Sequence, residues 1–124
     1  MSFEVFLSDD EKQIVCRVTG PMDVDVAREF SLAIEDLNKE RRVDRFLFDV
    51  RGASNVSGVL DNYTFAYRDM AELDLRRDIR SAILTSKGDR SHDFVETLLR
   101  NAGYRARIFD DEAVAVAWLE EEVP

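Results

Sequence analysis

The sequence predicts an α/β fold built on one mixed sheet, with helices mainly on one face, and three observations carry this prediction. Five short apolar runs have the length and composition of β-strands: 3–7, 14–18, 46–50, 81–85 and 105–109. After the second run, strands alternate with amphipathic helices, which is typical of parallel strands joined by helical crossovers. A short polar turn separates the first two runs, which favours an antiparallel pair. We therefore predict a five-stranded mixed sheet with an antiparallel first strand and about four helices.

The first half of the chain contains the hairpin, the first helix and a central strand. The polar turn 8–11 joins the first two strands, and the glycine–proline pair at 20–21 is expected to end the second. Asp23 or Asp25 caps the first helix, in which apolar residues recur at spacings of three and four. The run 46–50 is nearly all apolar, as expected of a strand covered on both faces.

The second half repeats the alternation of helix and strand. Residues 51–59 form the longest polar, glycine-bearing loop, and a helix is predicted over 60–74. Ser91 is expected to cap the next helix, and Gly103 is a good left-handed residue to end it. One of the aspartates at 110–111 caps the last helix.

Composition narrows the class of protein. A chain of 124 residues is expected to form a single domain, 1–124, with a substantial core. The net charge of −9 disfavours nucleic acid and anionic membrane surfaces as partners. The sequence shows no apolar leader and no run long enough to span a membrane, so we expect a cytoplasmic protein without membrane insertion. The single cysteine, Cys16, lies mid-strand, where a buried hydrophobic role is usual.

The order of elements and three local stretches resemble the bacterial SpoIIAA-like (STAS/SEC14) family, which is related to the STAS anti-sigma-factor antagonists. These stretches are GPMDV at 20–24, IFDDEA at 108–113 and AWL at 117–119. The resemblance covers essentially the whole chain. It implies a STAS-like domain that binds a protein partner without catalysis, and its kinship with the SEC14 fold implies an apolar ligand as an alternative.

A regulatory serine is also implied by this resemblance. In STAS antagonists the start of the second helix reads Asp-Ser-Ser-Gly-aliphatic, and the second serine is phosphorylated. The matching stretch here is 55–59, in which Ser57, Gly58 and Val59 fit the pattern while Asn55 and Val56 depart from it. The resemblance therefore points to Ser57 as the phosphosite.

The loop 51–59 is a candidate ligand site on physical grounds as well. Ligands of open α/β sheets lie outside the carboxyl ends of the strands, and a helix amino terminus favours an anion. The turn after the fourth strand lies at the same edge and contributes a cation. The predicted ligand or regulatory loop comprises Ser54, Asn55, Ser57, Gly58 and Lys87. Ordinary helix capping by Ser57 or Asp61 is the alternative explanation of these residues.

Large apolar side chains crowd the predicted helix over 60–74. Tyr63, Tyr67 and Met70 share one face, while Phe65 points elsewhere. We predict that these four residues form an interface or groove, and that the chain is a homodimer. Packing of the same residues in the core is the alternative.

No combination of residues specifies a reaction. His92, the only histidine, is expected to face solvent in the first turn of a helix, and Asp49 is expected to cap the loop after its strand. No spacing suggests a metal site, so we predict no catalytic residue, no metal and no cofactor. The predicted function is a non-catalytic binding or regulatory module acting through protein contact. A carrier or sensor of a small apolar or amphipathic ligand comes second, and an enzyme of unknown type third.

Overall fold

The structure, a computed structural model, describes residues 3–39, 41–55 and 79–121. The strands in these ranges are β1 Phe3–Leu7, β2 Ile14–Met22, β3 Arg45–Asn55, β4 Arg80–Leu84 and β5 Arg105–Phe109. The helices in the same ranges are α1 Val24–Asn38, α2 Asp93–Asn101 and α3 Glu112–Glu120. The helix predicted over 60–74 lies outside the described residues.

The five strands form one mixed sheet in the order β1-β2-β3-β4-β5. β1 runs antiparallel to β2, with Leu7 opposite Ile14, because the turn between them is too short for a crossover. The pairs β2–β3, β3–β4 and β4–β5 are parallel. The prediction of a five-stranded mixed sheet with an antiparallel first strand is confirmed.

Helices cover both faces of the sheet, and the larger core lies on the face of α1 and α2. Alternate strand residues point to opposite faces, which divides the apolar side chains into two clusters. The cluster between the sheet and the helices α1 and α2 includes Ile14, Cys16, Val18, Phe30, Ile34, Phe46, Val50, Ile83, Leu98 and Leu99. The cluster between the sheet and α3 comprises Val15, Leu47, Ala82, Leu84, Phe109, Ala115 and Leu119, with Phe6, Val116 and Trp118 packed against it.

β2 and β3 extend further than the sequence predicted. Gly20 and Pro21 were expected to end β2, but pairing continues to Met22, which lies opposite Asn55. The register shifts by one residue between Arg17 and Thr19, so a bulge separates two paired stretches. Residues 51–55, predicted as the start of a loop, are therefore the last residues of β3. Gly20 and Pro21 do not end β2, because its pairing with β3 continues past them.

The ends of the helices agree in part with those predicted from the sequence. Asp23 and Asp111 are the caps of α1 and α3, and each accepts a hydrogen bond from a backbone N–H of the first turn, at 2.9 and 3.2 Å. The prediction of Ser91 as the cap of α2 is wrong, because His92 occupies that position without a side-chain capping bond. Gly103 has φ +95° and ends α2 as predicted. None of the described helices has the length and apolar character needed to cross a membrane.

Candidate functional site

The carboxyl ends of the parallel strands form the edge at which the sequence predicted a site. β3 continues beyond the end of β4, so no strand in the described part of the chain pairs with its last residues on that side. Side chains from the segment between β4 and α2 take the place of that strand. Ser86 Oγ donates to the carbonyl of Arg51 at 2.5 Å, and His92 Nε2 lies 3.2 Å from the carbonyl of Ala53. These two bonds fix the end of β3, which leads into the predicted regulatory serine.

The position of His92 corrects the sequence prediction. The side chain was expected to face solvent, but the residue is only 2% exposed. Its Nε2 lies 3.7 Å from a carboxylate oxygen of Asp89, beyond hydrogen-bond distance, while the bond to Ala53 holds the ring. A histidine whose Nε2 is bonded to a backbone carbonyl in a buried position is suited to holding two segments together. No signal in the sequence reveals this role, because Ala53 is 39 residues away.

An open cleft of about 500 Å³ lies beside this edge, at the carboxyl ends of β4 and β5. Asp89, Asp93, Asp110 and Asp111 line it, and the one basic lining residue, Arg90, is paired with Asp93 at 2.8 Å. The carboxylates give the cleft negative potential, so it disfavours a phosphate or carboxylate ligand. The remaining lining residues are Thr85, Ser86, Gly88, Ile108, Phe109 and Val114.

The predicted regulatory loop is divided between described and undescribed residues. Ser54 is exposed in β3, and Asn55 is the last residue of that strand. Lys87 is exposed in the turn after β4, at the same edge of the sheet. Ser57 and Gly58 lie outside the described residues. The same is true of the predicted interface residues Tyr63, Phe65, Tyr67 and Met70.

Asp49 is held by arginines in the middle of β3, on the face covered by α3. Asp49 was expected to cap the loop after its strand, but residue 51 still belongs to β3, and only a bond from the backbone N–H of Arg51 at 3.3 Å has the form of a cap. The carboxylate also accepts hydrogen bonds from Arg51 Nε at 3.0 Å and Arg51 Nη2 at 2.9 Å. Arg17 Nε lies 3.3 Å away, and Arg51 also pairs with Glu112 at 3.2 Å. The guanidinium of Arg51 holds the pKa of Asp49 below its ordinary value, against the opposing effect of burial. The carboxylate is therefore stabilised in its charged form.

Cys16 is buried in β2, as the sequence predicted. It is 1% exposed, and burial raises the pKa of its thiol to about 12. Since the thiolate is the nucleophilic form, this thiol is inert at neutral pH. Within the described parts of the chain, no three side chains of His, Cys, Asp or Glu are arranged to hold a metal ion.

Comparison with known proteins identifies the fold. No protein-family model and no curated protein matches the sequence. Among the solved structures that match, three have a TM-score of 0.61 each. The first is an uncharacterized DUF3478-family protein with a SpoIIAA-like fold from Shewanella loihica PV-4, at 15% identity over 94% of this chain and 91% of that one.

The other two structures are both named as anti-sigma factor antagonists. One is the anti-sigma factor antagonist SpoIIAA in its unphosphorylated form, at 14% identity over 97% of this chain and 99% of that one. The other is an anti-sigma factor antagonist from Mycobacterium paratuberculosis, at 13% identity over 97% of this chain and 96% of that one. The chain has the SpoIIAA-like STAS fold, which confirms the resemblance predicted from the sequence at the level of fold.

Proposed function

We propose that this chain is a non-catalytic regulatory module that contacts a protein partner at the carboxyl edge of its sheet. The observation that carries the proposal is the likeness of fold, over 97% of the chain, to two anti-sigma factor antagonists. By their names, those proteins counteract another protein. We extend to this chain the same mode of action, regulation through protein contact.

The placement of the reactive side chains supports a binding role. A general base or nucleophile must reach its substrate and exchange a proton near neutral pH. His92 is buried against a backbone carbonyl, Asp49 is bonded to two arginines, and the thiol of Cys16 is buried with a raised pKa. Each of these groups is therefore held in a structural role and is poorly placed to act as a general base or nucleophile.

We further propose that Ser57 regulates partner binding. The unphosphorylated form of SpoIIAA indicates that a regulator of this fold is subject to phosphorylation. In this chain, the serine follows the end of β3 by two residues, and that end is fixed by Ser86 and His92. A phosphate would add about −1.5 to −2 charges two residues after the end of β3, so we expect phosphorylation to weaken a contact in which Lys87 pairs with a carboxylate of the partner.

Affinity capture of the tagged chain from its own host, with quantitative mass spectrometry, tests the proposal. We expect one protein at near-stoichiometric recovery, and reduced recovery with Lys87→Glu or Ser57→Asp. Lys12→Glu is the matched control, because Lys12 is an exposed lysine in the turn before β2, at the opposite edge of the sheet. Ser57→Ala should leave recovery unchanged.

Two results would contradict a binding role. One is an equal change of recovery in Lys87→Glu and Lys12→Glu, which would show that the captured protein does not bind at the carboxyl edge. The other is turnover in a broad hydrolase and phosphatase screen that disappears in His92→Ala or Asp49→Asn while circular dichroism shows an intact fold.

A further inference from the structure

A row of arginines crosses the amino ends of three adjacent strands. Arg45, Arg80 and Arg105 are the first residues of β3, β4 and β5, and the register places each beside the next. Residues paired across parallel strands point to the same face of the sheet. That face is the one covered by α3, because Arg80 lies 5.7 Å from the ring of Trp118. Arg107, two residues beyond Arg105, belongs to the same face.

Within the described residues, no carboxylate is paired with most of this positive charge. Arg80 Nη1 donates to the carbonyls of Trp118 and Glu121, at 2.8 and 2.5 Å, and so caps the end of α3. Arg107 lies over the ring of Phe109 at 5.3 Å. In the described ranges, no hydrogen bond or ion pair joins Arg45, Arg105 or Arg107 to a carboxylate. Like charges side by side on neighbouring strands are destabilising, so the row is costly unless an anion neutralises it.

We propose that this arginine row, Arg45, Arg80, Arg105 and Arg107, is a docking surface for an acidic segment of a partner protein. The inference rests on the proposed function only in taking the partner to be a protein. It adds a second contact at the opposite end of the strands from the carboxyl edge. The guanidinium groups suit carboxylates because their N–H groups match both oxygens of a carboxylate.

The size of the row and the charge of the chain favour a short acidic segment over a larger anion. Neighbouring strands lie about 4.8 Å apart, so the row spans roughly 10 Å, which two or three carboxylates of a peptide can cover. A membrane or a nucleic acid would also meet the remaining surface of a chain with net charge −9, and that surface repels it.

Titration with a short poly-glutamate peptide at low ionic strength tests the inference. Trp118 is the only tryptophan and contacts Arg80, so its fluorescence reports on the row. We expect saturable binding that weakens with salt, and an affinity lowered on the order of tenfold by Arg105→Glu. Arg107→Glu should act in the same direction. Arg100→Glu is the matched control, because Arg100 is an exposed arginine on α2, across the sheet.

The other outcomes overturn the inference. Equal loss of affinity in Arg105→Glu and Arg100→Glu would indicate a non-specific charge effect. If the peptide shows no saturable binding, the arginine row is not a docking surface for an acidic segment. The chain could instead bind phosphatidylserine–phosphatidylcholine vesicles more tightly than the peptide, and lose this binding in Arg105→Glu. This result would show that the arginine row binds a membrane and not a protein. None of these results bears on capture through Lys87, so the two proposals fail separately.

Discussion

Replacing Asp49 with asparagine removes a buried negative charge and keeps the shape of the side chain. The carboxylate of Asp49 is 7% exposed and accepts three hydrogen bonds from the side chains of Arg51 and Arg17. In Asp49→Asn, one oxygen still accepts a bond, but the amide N–H groups face the guanidinium of Arg51. The variant therefore loses both the charge and a well-oriented acceptor.

The contacts set the size of the effect. A hydrogen bond to a charged group contributes about 1.5–3 kcal/mol, and breaking a buried ion pair costs about 3–5 kcal/mol. Both arginines are close to half exposed, at 49% and 45%, so solvent screens part of the interaction. We expect the free energy of unfolding to fall by about 2 kcal/mol at about pH 7.

The loss should depend on pH in a defined direction. Arg51 lowers the pKa of Asp49 in the folded state, so the folded protein holds this carboxyl charged below the pH at which the unfolded chain protonates it. The stabilisation is complete above the ordinary pKa of about 3.9 and declines as pH falls towards the lower folded pKa. The difference between the natural protein and Asp49→Asn should therefore shrink at acid pH.

Urea denaturation followed by circular dichroism, at a series of pH values, measures this difference without adding salt. Asp25→Asn is the control, because Asp25 pairs with Arg28 at 2.7 Å but is 79% exposed. Such a surface pair contributes about 0.5 kcal/mol or less. A loss in Asp49→Asn that is independent of pH, or no larger than the loss in Asp25→Asn, would refute the reasoning.

Three other predictions concern the core, the thiol and assembly. Leu119→Ala should lower the free energy of unfolding by about 2–5 kcal/mol, because Leu119 lies on the buried face of α3 and is 0% exposed. Val114 of the same helix is 54% exposed, so Val114→Ala should change this free energy by about 0.5 kcal/mol or less, and urea denaturation compares the two variants. Cys16 should react with a thiol reagent at about pH 8 only as fast as the chain opens, and immediate labelling of the folded protein would contradict its burial. Sedimentation at micromolar concentration should detect a homodimer that Phe65→Asp dissociates, and a monomer unaffected by this change would rule the interface out.

Much of the fold was predictable because it depends on local patterns. Strand alternation and apolar runs indicated all five strands, and the short turn at 8–11 indicated the antiparallel pair. The caps Asp23 and Asp111 were among the predicted candidates because their side chains bond N–H groups only three residues away. The lengths of β2 and β3 were not predictable, because Gly20 and Pro21 are turn signals whose effect is reversed by pairing with a distant strand.

The candidate site was predictable only in outline. The carboxyl edge of the sheet follows from the strand order, and Ser54 and Lys87 lie there as the sequence predicted. The bond between His92 and Ala53 joins residues 39 apart, and no local pattern specifies it. The pairing of Asp49 with Arg17 likewise joins residues 32 apart, although an aspartate in an otherwise apolar strand is itself a signal that a cation lies nearby.

The sequence by itself determined the class of fold, the antiparallel first strand and the edge at which a partner is expected. It did so because apolar periodicity, turn residues and capping side chains act over a few positions along the chain. Only the tertiary structure decided which charges meet. Register brought Arg45, Arg80 and Arg105 side by side although 35 and 25 residues separate neighbouring members. The same folding placed His92 under the end of β3 and Asp49 between two arginines. Contacts between residues distant in sequence depend on strand order and register, which no single segment contains.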